Sequence, residues 1–434
     1  RTRKDMKALV VAFASVVLSA RQQPLFEEAV VHTFPERNET IRYLGLLADD
    51  DDADGALLFF GKRAAATTQT RTQSTKSKTR EVLVGWRGCD AGLGCLSREE
   101  PTRLTTTLQR HLVHNAALFR NENGQLWFLG GRDDAHRRGR RGAFVWNATT
   151  VWPAFRGSHP GCEERRPQFF GRCEFDGKFS VATTNDGESV VYARANLASA
   201  AQRGEFGGRH VQAAKFLLGE GFFRAVSPFR RVSFLDYPLS PTAADNVYFA
   251  AVNPNPADAG RTLLGLFPVS SPSLPTAIAL SVSCDGVSFG PLEVLRPSRS
   301  AGHGRTRDHP VDGFTRLGEN VAFYVQQDVP GIALDDEDAP PSTVVRVLVP
   351  LSHVVDLTRR ALRRLHDAEE SDADETHRHE TEAASLVEKK KWRRRHGGRL
   401  SSSAKKVSLD DGQSRRRPTT TCEGHPLLLR ERKG

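Results

Sequence analysis

The sequence predicts an all-β protein, and within that class a β-propeller, on three observations. A hairpin pattern recurs at Ala117–Gly130 (ALFRNENGQLWFLG), Phe179–Asn196 (FSVATTNDGESVVYARAN), Asp245–Asn253 (DNVYFAAVN) and Gly313–Asp328 (GFTRLGENVAFYVQQD). In three of the four, a polar turn (Asn123-Gly124, Asp186-Gly187, Gly318-Glu319) separates two apolar strands. Asn-Gly and Asp-Gly between alternating runs mark tight hairpins, because both turn residues must tolerate positive φ. The return strands are expected to begin near Leu126, Val190, Val247 and Val321, at separations of 64, 57 and 74 residues. That spacing suits one antiparallel sheet per repeat, arranged around a central channel, with five blades expected.

The elements follow in order. Residues 1–20 read as a secretory signal: Arg1, Arg3, Lys4 and Lys7 precede an apolar run, Ala8–Leu18, that ends at Leu18-Ser19-Ala20. The run is too short to span a membrane as a helix; a buried strand is the alternative. Residues 21–80 form a lead-in segment with one or two strands, an acidic run at Asp49–Asp52, and a low-complexity loop, Ala64–Arg80, rich in Thr, Ser, Gln and Lys. The propeller is expected over 81–350, starting with the strand Glu81–Trp86 and ending with the β-branched strand Thr343–Val349. Ser283-Cys284-Asp285-Gly286-Val287-Ser288-Phe289 resembles the turn between outer blade strands of sialidase-type propellers, where Asp and Gly hold the hairpin and the aromatic ring packs beneath it. Residues 351–365 take helical spacing, with Val354, Leu357, Ala361 and Leu365 on one face and Ser352 available as a cap. Residues 366–434 are expected to be a disordered, charged tail.

The bulk composition bounds the partners. Net charge is +10, but the stretch from Lys389 onward holds 15 Lys or Arg and 4 Asp or Glu. The rest of the chain is therefore close to neutral, and no specific nucleic-acid binding is expected; a basic tail attracts polyanions without reading sequence. Asn38-Glu39-Thr40 and Asn147-Ala148-Thr149 are glycosylation sequons. Of six cysteines, Cys89 lies close to Cys95 and Cys162 to Cys173. Disulfides in an oxidising compartment are the preferred reading of the near pairs, with buried thiols the alternative. No spacing specifies a metal site, and no phosphate-binding glycine loop or Gly-x-Ser-x-Gly elbow is present. No cofactor is expected. The chain is expected to be secreted, monomeric and without a membrane span.

Three segments carry a family resemblance. They are His114-Asn115 leading into Ala116–Gly130; Cys173-Glu174-Phe175-Asp176-Gly177-Lys178 leading into the Val190–Asn196 return strand; and Asp308-His309-Pro310-Val311-Asp312-Gly313 leading into Val321–Gln327. Each places a polar or acidic residue just before an innermost strand. In this the region Glu81–Pro350 resembles the five-bladed propeller superfamily of arabinanases, β-xylosidases and β-fructosidases, with the related mannoside phosphorylases. The Asn-Asp-Pro-Asn start of the fructosidases and the Glu-Asp-Pro-Arg signature of the phosphorylases are absent; His114-Asn115-Ala116 and Glu174-Phe175-Asp176-Gly177 stand in their places. The resemblance implies a funnel that binds carbohydrate.

Glycoside hydrolysis needs two carboxyl groups on either side of one bond, one protonated and one ionised. Asp176 and Asp312 are the leading catalytic candidates, with Glu174 and Asp308 able to replace them; residues two or four apart on a strand share a face. His114, Asn115, Arg194, His309 and Asn253 are candidates for substrate binding. Asp-Gly is also an ordinary turn, and Arg194 inside a strand serves equally as an ion-pair partner. Two functions follow: a secreted glycoside hydrolase, or a non-catalytic glycan-binding or protein-interaction propeller.

Overall fold

The computed structural model describes residues 26–34, 41–48, 56–65, 80–98, 100–104, 114–121, 123–131, 142–147, 149–156, 178–183, 188–198, 206–219, 222–235, 237, 246–258, 260–270, 276–299, 306–329 and 340–368. The signal-like segment, the Asn38 sequon, the acidic run Asp49–Asp52, the Ala66–Thr79 part of the low-complexity loop and the charged tail beyond 368 lie outside them.

The described chain is a β-propeller built from antiparallel modules. The first strand, β1 (Glu27–Thr33), belongs to the last module. The first module is β2 (Ile41–Ala48), β3 (Leu57–Ala65), β4 (Arg80–Cys89) and, after the short helix α1 (Cys95–Arg98), β5 (Thr102–Arg103). The second is β6 (His114–Arg120), β7 (Leu126–Gly131), β8 (Gly142–Trp146) and β9 (Val151–Arg156). The third is β10 (Ser180–Thr183), β11 (Ser189–Ala198), β12 (Phe206–Gly219) and β13 (Phe222–Ala225), with β14 (Arg230–Arg231) also on β12. The fourth contains β15 (Ser233–Phe234), β16 (Asn246–Val247), β17 (Ala251–Pro254), β18 (Leu263–Ser270), β19 (Ala277–Ser283), β20 (Ser288–Phe289) and β21 (Glu293–Pro297). The last is β22 (His309–Leu317), β23 (Asn320–Gln327) and β24 (Thr343–Pro350), completed on its outer edge by β1 paired antiparallel to β24. Helix α2 (351–368) follows.

The innermost strands form a closed cycle. β2 lies beside β6, β6 beside β10, β10 beside β17, β17 beside β22, and β22 returns to β2 through the parallel pair Gly45↔Asp312. The apolar patterning explains the closure. Successive strand residues point to opposite faces, and in this chain both faces are apolar. On β23, Val321, Phe323 and Val325 pack toward the fourth module and the helix, whereas Ala322 and Tyr324 pack toward the first module. On β6, Ala116 and Leu118 join the first module, and Ala117 and Phe119 join the third. Each neighbouring pair of modules thus shares one buried cluster. Aligned sheet packing with apolar inner faces on both sides is what a sheet in a ring requires.

The turns follow local chemistry. The Asn121 side chain accepts hydrogen bonds from the Asn123 and Gln125 amides, and Gly124 takes φ +73°. In the fourth module, Asp285 Oδ1 accepts from the amides of Val287 and Ser288 at 2.7 Å, Gly286 sits at φ +77°, and Phe289 is buried against Phe234 and Phe267. The helix buries Val354, Leu357, Ala361 and Leu365, the face read from spacing, and runs three residues past the expected end. His353 and Arg360 from this helix both engage Glu293 of β21.

Two sequence expectations change. Val247 does not begin a return strand: Asn246–Val247 and Ala251–Pro254 both pair with β18, so this segment is the inner strand, and the return begins at Leu263. An inner strand and its return carry the same period-2 pattern, so alternation does not fix which is which. The ring also takes in strands upstream of 81, since β2 and β3 build the first module and β1 completes the last. Cys89 and Cys95 form a disulfide, and Cys284 is disulfide-bonded as well. Cys162, Cys173 and Cys422 lie outside the described residues.

At Gly313, φ is +121° and an added Cβ would meet the Leu46 carbonyl oxygen at 2.2 Å. Gly313→Ala is expected to destabilise the fold by at least about 1–3 kcal/mol from the backbone conformation alone. A urea titration checks this, and an unchanged midpoint would show that the β2–β22 junction can yield.

Candidate functional site

The inner strands do more than close the ring. Three of them break their ladder register at the same level: β2 between Arg42 and Gly45, β6 between His114 and Ala117, and β22 between Pro310 and Phe314. Bulges re-aim side chains. Tyr43 (φ +58°) and Asn115 (φ +55°) occupy the left-handed region at these breaks, a conformation that costs of order 1 kcal/mol or more for a residue with a side chain. Two of the four non-glycine residues with positive φ among the described residues thus lie on inner strands; the others are Leu93 and Asp328.

Asp312 is at the centre. It is 6% exposed, and its Oδ1 accepts from Ser180 Oγ at 2.9 Å and Asn253 Nδ2 at 3.3 Å. Lys178 Nζ stands 3.8 Å from its Oδ2 and donates to the Leu44 carbonyl. Ser180 also bridges to the Val252 amide at 3.0 Å. Burial pushes the Asp312 carboxyl above its ordinary range, while Lys178, Ser180 and Asn253 pull it back. Burial lowers the Lys178 amine to about 8, with Asp312 opposing.

A second cluster adjoins the first. The His309 ring stacks on Tyr43 with centroids 5.6 Å apart, and it also meets Tyr248 at 5.4 Å and Phe249 at 4.9 Å. Cations cap the tyrosines: Lys62 lies 4.8 Å and Arg42 5.8 Å from the Tyr43 ring, and Arg194 5.4 Å and Arg209 5.1 Å from that of Tyr248. Lys62 also donates to Asn115 Oδ1 at 3.0 Å. Burial holds the His309 imidazole well below its ordinary pKa, and Lys178, Arg42 and Arg194 push in the same direction. His309 is 1% exposed, and neither ring nitrogen has a hydrogen-bond partner among the described residues. Leaving a buried polar group unmet costs about 1–3 kcal/mol.

The structure brings Asn115, Arg194, Asn253, His309 and Asp312 to this one region. Asp308 goes elsewhere: it pairs with Arg296 at 3.1 Å, and Arg296 in turn pairs with Glu28 of β1. Asp308 and Asp312 share no hydrogen-bonding partner, because the register break lies between them. The backbone of His114 pairs with Gly131. Glu174 and Asp176 lie outside the described residues. Sequence reasoning did not single out Tyr43, Lys62, Lys178, Tyr248 or Arg209 for this site. The signal for Lys178 was its place beside Asp176-Gly177, directly before the apolar run of β10. Among the described residues there is no group of three or more His, Cys, Asp or Glu able to hold a metal.

The Lys178–Asp312 pair makes a titration prediction. Asp312, raised in the fold, holds its proton longer than in the unfolded chain, so its contribution to stability falls as pH rises above 3.8 through its folded value. Lys178, lowered to about 8 from 10.5, is more protonated when unfolded, so its contribution rises with pH across that window. Lys178→Met removes the cation that lowers Asp312, and the Asp312 carboxyl is expected to titrate at still higher pH. Carboxyl carbon NMR on aspartate-labelled protein checks the direction; a downward shift would contradict the pairing.

No protein-family model and no curated protein matches the chain. Among solved structures, it is similar to a mannose phosphorylase from Leishmania mexicana in complex with phosphate ion, at 10% identity and a TM-score of 0.43, covering 80% of this chain and 93% of that one. It is also similar to an α-L-arabinanase from Penicillium chrysogenum complexed with arabinobiose, at 11% identity and TM-score 0.41, over 76% of this chain and 99% of that one. An α-L-arabinofuranosidase from Fusarium graminearum with an iminosugar inhibitor gives 11% identity and TM-score 0.41 over the same shares, 76% and 99%. The propeller assignment for this chain rests on its own cycle of inner strands.

Proposed function

We propose that this chain is a secreted, glycoside hydrolase-like protein that cleaves glycosidic bonds of an oligo- or polysaccharide at the mouth of its ring. The observation that carries the reading is the convergence on Asp312. One buried carboxylate is held by side chains from two further inner strands, next to an imidazole with unmet hydrogen-bonding capacity. A carboxyl raised by burial can stay protonated at mildly acidic pH and serve as the acid of a two-carboxyl mechanism. Asp176, two residues before Lys178 in the sequence, is assigned as its counterpart, and Glu174 as the alternative. Asp308, held by Arg296, is assigned to the closure of the ring. His309, Asn115, Arg194 and Asn253 are assigned to substrate contacts, and His114 is kept with them on its sequence position. The Cys89–Cys95 disulfide supports an oxidising compartment. Among the described residues no helix is long and apolar enough to cross a membrane.

One observation favours the non-catalytic reading. Asp312 is already engaged by Lys178, Ser180 and Asn253, and a carboxylate so engaged also suits a fixed, sugar-binding anion. Turnover decides between the two. Wild type and the variants Asp312→Asn and Asp176→Asn are assayed on aryl glycosides and polysaccharides. Catalysis by this pair predicts losses of about a hundredfold or more in each variant, the scale of acid–base and nucleophile removal. Inert wild type that binds glycans in an array establishes the binding reading, and active variants overturn the assignment of the pair.

A further inference from the structure

We infer that a Cys284–Cys422 disulfide straps the C-terminal segment to the fourth module, on the face of the ring opposite the well, with Leu427–Leu429 covering the apolar cluster at the end of α2. The sequence has six cysteines. Cys89 and Cys95 bond to each other, and Cys284 is disulfide-bonded too. Its partner is therefore Cys162, Cys173 or Cys422.

The place of Cys284 in the fold chooses among them. β22 starts at the well with His309 and ends at Leu317, which pairs with Asn320; Asn320 pairs with Pro350, and α2 begins at that far end. The helix is seated on the fourth module. Asn255 Nδ2 donates to Thr358 Oγ1 at 2.8 Å, and a Cβ added at Gly290 would lie 2.7 Å from that of Ala361. Cys284, in the turn between β19 and β20, packs with Leu235 against Leu362 and Leu365 of this helix. Cys162 and Cys173 belong to the connection between β9 and β10, whose two ends are at the well. Arg156 pairs with Gly142 in the ladder that leads through Gly131 to His114, and Lys178 stands beside Asp312. Cys162 follows Arg156 by six residues and Cys173 precedes Lys178 by five, a reach of about 20 Å at most. The core shared by the third and fourth modules fills the direct way from Lys178 to Cys284. Those two cysteines, close in sequence, are left to pair with each other.

The chain leaves α2 at 368, three residues past Leu365, so the segment that carries Cys422 starts from the neighbourhood of Cys284. At about 3.3–3.6 Å per extended residue it is long enough to loop out and return. Arg363, Arg364 and His366 at this end of the helix have interaction partners beyond the described residues, which marks it as a contact surface. Beyond 368 the sequence is strongly charged, and Leu427–Leu429 is its one run of three apolar side chains. The bond sets that run beside Leu235, Leu362 and Leu365, where burying apolar area stabilises the contact. Forming it removes two electrons and two protons from the two thiols. An exchanging disulfide of an oxidising compartment takes them up and is reduced to two thiols. The basic stretch from Lys389 is then anchored on both sides away from the well.

The test is peptide mapping of the full chain, secreted from a eukaryotic host and alkylated with N-ethylmaleimide without reduction. The expected product joins the Cys284 peptide to the Cys422 peptide and separates on reduction. Limited trypsin cleavage at the basic stretch gives a second readout. In the wild type the C-terminal fragment is expected to stay with the body on non-reducing electrophoresis and to leave with reductant; in Cys422→Ser it is expected to leave without reductant. Cys284 joined to Cys162 or Cys173, or alkylated as a thiol, overturns the inference. So does a covalent dimer in which the two cysteines link separate chains. Release of the wild-type fragment without reductant overturns it as well, whatever the behaviour of the variant.

Discussion

Apolar patterning on both faces of every sheet is the constraint from which the rest of this structure follows. A sheet with one apolar face can rest on a single partner. The strands here carry Val, Phe, Leu and Ala toward both sides, as β23 and β6 show residue by residue. Each sheet then needs two apolar neighbours, and a finite row of such sheets leaves two faces in water. Joining the ends removes both. The closing contacts are of two kinds: β1 pairs along β24 through backbone bonds, and Gly45 meets Asp312 where β2 touches β22. The Glu28–Arg296–Asp308 cluster ties the returning β1 to the outer strand of the fourth module. Of this set only Asp308 is buried, and removing Arg296 would leave its charge uncompensated.

Closure also explains where the register breaks and the polar groups are. Inner strands in a ring crowd together, and their ladder bonds cannot all be satisfied within their own sheets. The register breaks in β2, β6 and β22 answer this: the side chains of Ser180 and Lys178 pair with the Val252 amide and the Leu44 carbonyl, and the Phe179 backbone amide donates across strands to the Asn115 carbonyl. The polar cluster is thus first a structural solution to crowding. Its chemistry follows, because a buried carboxylate with a lysine beside it and an imidazole among aromatics cannot titrate as they would in water. The proposed site and the closure of the ring use the same residues, so a substitution at the axis is expected to touch stability and any chemistry there together.

Much of this was legible in the sequence, and the gaps have physical causes. Asn123-Gly124, Asp285-Gly286 and the helix at 351–368 were readable because each rests on local rules: positive φ, side chain to backbone bonds, and a 3.6-residue period. Five of the nine candidate site residues, Asn115, Arg194, Asn253, His309 and Asp312, come together in one region, four of them from inner strands and Arg194 from the neighbouring β11. The first module was not legible as part of the ring. Its strands β2 and β3 are flanked by an acidic run and a Thr- and Lys-rich stretch that read as exposed. Lys62 and Lys178 were passed over because a lysine ordinarily reaches water, and only the three-dimensional meeting with Asn115 and Asp312 shows otherwise. Composition hid the cationic character of the site too: a chain body near neutrality can still gather Arg42, Lys62, Arg194 and Arg209 around two tyrosines.

The same crowding makes Asp312 responsive to what occupies the well. Its proton affinity is a balance between burial, which favours the neutral acid, and three donors, which favour the anion. A ligand hydroxyl that draws Ser180 or Asn253 away removes donors from the carboxylate and shifts the balance toward the acid. A ligand anion near Lys178 acts in the same direction, because it competes for the cation that holds Asp312 ionised. Both displacements leave the carboxyl more readily protonated with the well filled than with it empty. On the proposed hydrolase reading, an acid that gains its proton on binding is available to a leaving group, and the hydrogen bonds around Asp312 would supply that coupling.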